Sequence, residues 1–260
     1  EQRTGYAVSG AVSVEPPMAC DGGDQDFLQV AARSVIGTPL SELLDELVSG
    51  NLTHVVVLGV DGAVVGVPAP KIPEGMILLP GSFNPVHEGH EDMGRQSALL
   101  VGRPASNVLL ELCVVNADKG AIDVGTLCSR IEKAVSRGNR VLASRAMLFQ
   151  QKAELFPGSD FVVGYDTYRR ILDSKYYIPP GRTESTPAEQ RDWTLDALHR
   201  LQRSRVRFVV AGRKDGGEFK TIVTHPILEL PEDCASLFLA LPDFRNDISS
   251  TALRAQATAT

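Results

Sequence analysis

Short hydrophobic runs alternate with amphipathic stretches from residue 76 onward. The runs are rich in Val, Leu, Ile and Phe, which is typical of strands that are covered on both faces. They predict strands at 76–80, 108–115, 139–143, 160–164, 206–211 and 236–240. The stretches between them predict helices at about 91–101, 124–137, 145–155, 166–173 and 188–203. This alternation predicts an α/β fold with a doubly wound parallel sheet.

The first 70 residues have a different pattern. A helix is predicted over 40–48, after the start signal Thr38-Pro39. Two apolar runs, 54–60 and 63–67, flank Asp61-Gly62, which is a strong signal for a β-hairpin. The sequence therefore predicts a small N-terminal extension over 1–70, with the hairpin at 54–67, and a main domain over 74–260.

The first candidate site follows the strand at 76–80. The chain continues through a turn rich in Gly, Asn and Pro into His87-Glu88-Gly89-His90, which opens a helix. A helix N-terminus presents unpaired backbone N–H groups and the positive end of the helix dipole to an anion. Gly81 and Gly89 allow a ligand to approach the backbone closely. The two histidines, three residues apart on the first turn, can point at one phosphate chain.

A second candidate site lies near the C-terminus, at Asp247-Ile248-Ser249-Ser250-Thr251-Ala252-Leu253-Arg254. Hydroxyl groups and an acid precede a short helical stretch, which predicts a second helix N-terminus rich in donors. Arg254 is expected one turn inside that helix.

Together, His-x-Gly-His at 87–90 and Ile-Ser-Ser-Thr-x-x-Arg at 248–254 resemble the nucleotidylyltransferase superfamily. Within it, Gly-Ser-Phe-Asn-Pro-x-His-x-Gly-His at 81–90 is most similar to the nicotinamide/nicotinate mononucleotide adenylyltransferases. Three further segments look closest to eukaryotic cytidylyltransferase-like domains that follow a CinA-like region: Asn-Ala-Asp-Lys at 116–119, Gly-x-Asp-Thr at 164–167 and Lys-Tyr-Tyr at 175–177. The extension would then be a remnant of that upstream domain. The resemblance implies a Rossmann-like fold over about 76–254.

The resemblance also implies which residues act. The residues that it places at the reacting phosphates are His87, His90, Lys119 and Arg254. Those that it places around the nucleotide are Gly81, Ser82, Phe83, Asn84, Gly89, Asp166, Arg213, Ile248, Ser249, Ser250 and Thr251. The Trp that stacks on the pyridine ring in the adenylyltransferases is missing at its usual place, since the only tryptophan, Trp193, lies well beyond it. Tyr176 and Tyr177 stand nearer and are the candidates for a stacking face.

The implied reaction is attack of an acceptor phosphate on the α-phosphorus of a nucleoside triphosphate, expected to be ATP, with release of pyrophosphate. With nicotinamide or nicotinate mononucleotide as acceptor, this is a step of NAD biosynthesis. The incoming phosphate is already nucleophilic, so the protein has to supply positioning and charge stabilisation. Mg²⁺ is expected with the triphosphate, held mainly by phosphates and water, and no separate protein metal site is predicted.

Composition narrows the partners. A net charge of −6 on 260 residues argues against broad binding of nucleic acid or an anionic membrane. No apolar run reaches membrane-spanning length, and the four scattered cysteines favour free thiols in a reducing compartment. We therefore expect an intracellular protein of the cytoplasm or an organelle matrix. A targeting peptide removed before Glu1 and a homo-oligomer or larger complex stay open.

The sequence leaves three alternatives, of which the first and the third belong to other classes of protein. The first is a non-catalytic nucleotide-binding subunit of a larger complex, and the second is a cytidylyltransferase-like enzyme of unknown acceptor. The third, a class I tRNA-synthetase-like enzyme, shares the His-x-Gly-His motif, but the chain is short and acidic and carries no Lys-Met-Ser-Lys-Ser.

Overall fold

The computed structural model describes residues 27–34, 37–116, 120–215, 217–242 and 244. The helices are α1 Phe27–Ser34, α2 Leu40–Ser49, α3 Glu88–Leu100, α4 Val124–Ser136, α5 Phe149–Leu155, α6 Tyr165–Ile171, α7 Pro187–Arg203 and α8 Glu232–Ala235. The strands are β1 His54–Val60, β2 Ala63–Pro68, β3 Ile77–Pro80, β4 Val108–Cys113, β5 Val115–Asn116, β6 Gly120–Ala121, β7 Val141–Ser144, β8 Asp160–Gly164, β9 Arg207–Ala211, β10 Arg213–Asp215, β11 Glu218–Lys220 and β12 Phe238–Leu241.

One eight-stranded sheet organises the chain, in the order β12-β9-β8-β3-β4-β7-β1-β2. Its first six strands are mutually parallel. Counted along the chain, these six strands have the order 3-2-1-4-5-6 of a doubly wound Rossmann-like sheet. The direction of winding reverses between β3 and β8, and in such sheets ligands bind beyond the carboxyl ends of the strands at this point.

Hydrophobic side chains cover both faces of this sheet, because alternate residues of each buried strand point to opposite sides. Leu78 of β3 packs in one cluster with residues of α1, α5, α6 and α7. Its neighbours Ile77 and Leu79 pack in the other with residues of α2, α3 and α4. The predicted α/β fold with a doubly wound sheet is therefore confirmed.

The predicted hairpin is present and extends this sheet. Strands β1 and β2 pair through a turn at Asp61 and Gly62, whose φ angles are both positive (47° and 84°). Two positive φ angles are typical of the tight turn that matches the twist of a hairpin. Strand β1 also pairs antiparallel with β7, so the hairpin forms one edge of the main sheet. Residues 54–68 thus share both hydrophobic clusters with the rest of the described chain.

Two predicted helices begin more than one residue away from the predicted start, for local reasons. Helix α3 begins at Glu88 rather than 91, because His87 is its N-cap. Helix α5 begins at Phe149 rather than 145, because the N–H groups of Met147 and Leu148 donate to the side chain of Gln151 (2.9 and 3.1 Å). Among the described residues, no helix is long and apolar enough to cross a membrane.

Candidate functional site

The segment 81–87 leaves the carboxyl end of β3 beside the point where the winding reverses; we call it the switch loop. The Gly81 N–H donates to the carbonyl of Glu111 on the neighbouring strand β4 (2.9 Å). A Cβ atom on Gly81 would lie 2.7 Å from the ring of Phe83, too close for any side chain. Glycine is therefore required where the strand turns into the loop.

Phe83 anchors the switch loop to the core. Its side chain is 3% exposed, and its backbone has a φ of 45°, which a bulky residue adopts only when its surroundings hold it. The ring meets His90 edge-on, with 5.1 Å between the ring centroids. The structure thus gives Phe83, predicted to lie at the nucleotide, a packing role for its side chain.

His87 and His90 form a stacked pair at the start of α3. Their ring centroids are 3.7 Å apart and the ring planes are inclined by 28°. The His87 N–H donates to Nδ1 of His90 (3.3 Å), so the neutral ring of His90 carries its proton on Nε2. Nδ1 of His87 is buried and has no hydrogen-bond partner within the described part of the chain. The sequence prediction that both side chains share the first helical turn is correct, and Gly89 between them is buried.

Both imidazoles are neutral at pH 7. Burial, reinforced by the nearby His87, lowers the pKa of His90 to about 4, against a smaller opposing effect of Glu91. Burial also lowers the pKa of His87, while Glu91 raises it and Arg137 lowers it further. In this state each ring can still donate one N–H to an anion, and a bound phosphate would raise both pKa values.

The switch loop and the first turn of α3 face two different clefts. Gly81, Ser82 and Asn84 line a cleft of about 580 Å³ at the carboxyl ends of β3 and β4, which we call the strand-end cleft. His90 lines a second cleft of about 410 Å³ together with Arg137. In these positions the described loop residues and His90 do not converge on one cavity, whereas the sequence predicts that they contact one phosphate chain.

The structure brings Asp166 and Arg213 together. This is required if both residues contact the nucleotide, as the resemblance implies. Asp166 lies in the first turn of α6, after β8, and Arg213 begins β10, after β9. Arg213 Nη1 forms an ion pair with Asp166 Oδ2, and the two side chains are 59% and 44% exposed. An exposed ion pair is worth about 1 kcal/mol or less, so a phosphate or ribose could replace either partner at small cost.

Six of the predicted site residues lie outside the described residues. They are Lys119, Ile248, Ser249, Ser250, Thr251 and Arg254. The predicted approach of the 248–254 motif to the switch loop therefore stays a prediction.

The two candidate stacking tyrosines differ in environment. Tyr177 donates its hydroxyl to the carbonyl of Ile171 (2.6 Å), and burial raises its pKa. Tyr176 is 41% exposed, and the ammonium of Lys175 lies 4.9 Å from its ring centroid. Neither side chain lines the strand-end cleft, where the aromatic ring of Phe149 lies instead.

A buried ion pair in the strand-end cleft was missed by the sequence analysis. Glu111 of β4 is 1% exposed, and its Oε1 accepts from Lys152 Nζ and from Ser144 Oγ (both 2.6 Å). Its second oxygen, Oε2, is buried without a hydrogen-bond partner in the described structure. The sequence does contain one sign of this pair, because Glu111 is a charged residue inside the apolar run 108–115. A charged side chain in a buried strand usually has a partner.

Within the described part of the chain, one group of side chains has atoms close enough to hold a metal ion. The donor atoms of His199, Asp233 and Cys234 lie within 4.8 Å of one another on α7 and α8. The imidazole already bonds the carboxylate (3.1 Å), and burial raises the pKa of the Cys234 thiol, which disfavours the thiolate that a metal binds. We assign no metal to this cluster.

Stability should fall as the pH drops from 7 to 5, in part because of His90. Its pKa is about 4 in the folded protein and 6.5 in an unfolded chain, so between these values the unfolded chain takes up a proton that the folded protein excludes. We expect this residue to account for about 1–2 kcal/mol of the loss in unfolding free energy. Urea unfolding at both pH values measures it.

The matched variants for this measurement are His90→Gln and His199→Gln, since His199 is partly exposed. The first should lose that part of the pH dependence and the second should keep it. Equal pH dependence in His90→Gln and the unmodified protein would contradict the lowered pKa.

Comparison with known proteins adds no family to this description. No protein-family model matches the sequence, and no similar curated protein is found.

Proposed function

We propose that this protein is a nucleotidyltransferase that moves a nucleoside monophosphate group from a nucleoside triphosphate, with ATP as first choice, to a phosphate-bearing acceptor. The observation that carries the proposal is a strand, glycine turn and histidine-bearing helix start at the winding reversal of a 3-2-1-4-5-6 sheet. That position is a general ligand site of such sheets, and helix N-termini favour phosphate. The resemblance of 81–90 and 248–254 to nucleotidylyltransferases supports the same reaction.

The chemistry needs no protein nucleophile. An oxygen of the acceptor phosphate forms a bond to the α-phosphorus, and the bond from that phosphorus to the β-phosphate oxygen breaks with its electron pair going to pyrophosphate. The protein lowers the barrier by holding the two phosphates in line and by donating hydrogen bonds to the charge that develops. His90 Nε2–H, His87 and the first N–H groups of α3 are donors of this kind.

The remaining roles follow from the resemblance. Lys119 and Arg254 would supply positive charge to the phosphates, and the hydroxyls at 249–251 would supply further donors. Asp166 and Arg213 would contact the nucleoside at the ends of β8 and β9. Nicotinamide or nicotinate mononucleotide is the first choice of acceptor, and a cytidylyltransferase-like reaction with another acceptor is the second.

Mg²⁺ would bind with the triphosphate and neutralise part of its charge. Three described carboxylates near the switch loop already have partners: Glu111 pairs through Oε1 with Lys152, Asp166 pairs with Arg213, and Asp123 accepts from the N–H of Thr126. A metal held mainly by phosphate oxygens and water fits this surrounding better than one held by a carboxylate cage.

One observation favours the second candidate, a non-catalytic nucleotide-binding subunit. His90 and the switch-loop residues Ser82 and Asn84 line separate clefts, whereas the resemblance implies that they act at the phosphates of one reaction. A subunit that only binds nucleotide requires no such convergence.

Calorimetric titration of the full chain with ATP, CTP and GTP in the presence of Mg²⁺ tests the proposal. We expect ATP to bind, and pyrophosphate to be released when nicotinamide or nicotinate mononucleotide is added. ATP binding without pyrophosphate release from any phosphate-bearing acceptor would favour the non-catalytic subunit. A folded protein that binds no triphosphate would exclude both.

A further inference from the structure

The strand-end cleft carries two buried polar atoms that the described protein leaves without partners. They are Oε2 of Glu111 and Nε of Arg130, and both residues line this cleft. We propose that the cleft binds the acceptor of the transfer reaction, a phosphate monoester that carries an amide or amine donor rather than a carboxylate. The identification as acceptor rests on the proposed function, whereas the recognition chemistry rests on the cleft itself.

Glu111 defines the donor requirement. Lys152 and Ser144 both donate to its Oε1, which fixes the orientation of the carboxylate and leaves Oε2 as a buried acceptor. An unsatisfied buried carboxylate oxygen is costly, so a ligand that brings an N–H group recovers this cost on binding. A ligand carboxylate at the same place would bring a second negative charge to Oε2 and be rejected.

Arg130 defines the phosphate requirement. It projects from α4 toward the switch loop, where its Nη1 lies 3.5 Å from the carbonyl of Ser82. Its Nε is buried without a partner in the described structure, and Ser82 and Asn84 line the cleft beside it. A guanidinium with an unused donor beside a hydroxyl and an amide suits a phosphate.

Apolar side chains also line the cleft. Leu112, Ile122, Met147 and Phe149 contribute to it, and the volume of about 580 Å³ is in the range of small-molecule sites. The cleft therefore fits a ligand with an apolar or aromatic body, a phosphate, and one donor group that reaches Oε2.

Nicotinamide and nicotinate mononucleotide are matched probes, since they differ in an amide against a carboxylate. Calorimetric titration of the full chain should give at least about tenfold tighter binding of the amide form, as expected for a hydrogen bond to a charged group. Phosphoethanolamine against propyl phosphate repeats the comparison without a pyridine ring, and the ammonium compound should bind more tightly. If the two members of each pair bind with equal affinity, water alone satisfies Oε2 and the proposal is overturned.

Glu111→Gln makes the test sharper. Lys152 and Ser144 continue to donate, so the amide oxygen takes the place of Oε1 and the NH₂ group takes the place of Oε2. The free acceptor becomes a donor, and the preference should reverse toward nicotinate mononucleotide. If this variant does not fold, Glu111→Met/Lys152→Met removes both charges together. This double variant should bind nicotinamide and nicotinate mononucleotide with affinities within about twofold of each other. A wild-type preference retained in either variant would overturn the role of Glu111.

Two further variants separate the parts of the proposal. Arg130→Gln should weaken both mononucleotides and inorganic phosphate about equally and leave the amide preference in place. Glu132→Gln, on the exposed side of the same helix α4, should behave as the wild type. Unchanged phosphate affinity in Arg130→Gln would overturn the phosphate assignment.

Failure of the proposed function gives a different result. If ATP binds and pyrophosphate is released while both probe pairs bind without discrimination, the transfer reaction stands and the recognition by Glu111 is wrong. If the amide preference and its reversal are observed but no triphosphate binds, the cleft assignment stands and the transfer reaction is wrong. If neither probe pair binds, the cleft assignment is wrong whatever ATP does.

Discussion

Replacing His90 by alanine should lower the turnover of nucleotidyl transfer by on the order of 10²-fold, the usual cost of losing one preorganised donor at developing charge. The ring is held before any ligand arrives, stacked on His87 at 3.7 Å and touched edge-on by Phe83 at 5.1 Å. Because this packing fixes the direction of Nε2–H, little reorganisation is needed when charge develops on the leaving pyrophosphate. Pyrophosphate release at saturating ATP and acceptor measures the effect.

The matched control is His199→Ala. His199 is a partly exposed histidine on α7, so this variant should leave turnover unchanged. Circular dichroism and thermal unfolding show whether the His90→Ala protein is folded. The rings of His87 and His90 stack, so their contributions to turnover should not be independent. The fold-loss of turnover in His87→Ala/His90→Ala should therefore be smaller than the product of the fold-losses in the two single variants. Turnover near that of the unmodified protein in a folded His90→Ala variant would remove His90 from the phosphate site.

The main elements of the fold could be predicted from the hydrophobic pattern because both faces of the sheet are covered. The predicted strands at 160–164 and 206–211 contain apolar runs that are too short for helices and lie between predicted helices, which favours buried strands. Strands β8 and β9 lie there with shifts of at most one residue. The position of the hairpin in the sheet was harder to predict from the sequence. Its turn at Asp61-Gly62 is a local signal, but the pairing of β1 with β7 depends on residues more than 80 positions apart.

The candidate site was predicted only where local chemistry marks it. The glycine at 81 and the two histidines at 87 and 90 carry their signal in spacing, and the structure places them at a strand-to-helix turn as predicted. Their position at the winding reversal depends on the order of the strands in the sheet, which the sequence does not give. The ion pair between Glu111 and Lys152 has no such signal, because its partners lie 41 positions apart in an apolar strand and a short helix. A buried charge can be identified from sequence only when its partner is known.

Lys152→Met should destabilise the protein by about 3–5 kcal/mol, the largest stability effect that we expect in the strand-end cleft. The substitution leaves the carboxylate of Glu111 buried with the Ser144 hydroxyl as its remaining donor. Glu111→Met/Lys152→Met should recover most of this loss, because two apolar side chains of similar volume need no partners. Urea unfolding at pH 7 gives the free energies.

The exposed pair Arg200 and Asp196 on α7 supplies the matched control, since both of its side chains are more than half exposed. Arg200→Met removes a cation from an ion pair of the same length, 2.6 Å, yet should change the unfolding free energy by about 0.5 kcal/mol or less. Lys152→Met and Arg200→Met each remove one positive charge and introduce the same side chain. A difference between their unfolding free energies therefore identifies burial as the cause. A double variant as unstable as Lys152→Met would mean that the cavity around residue 152, and not the unpaired carboxylate, determines the cost.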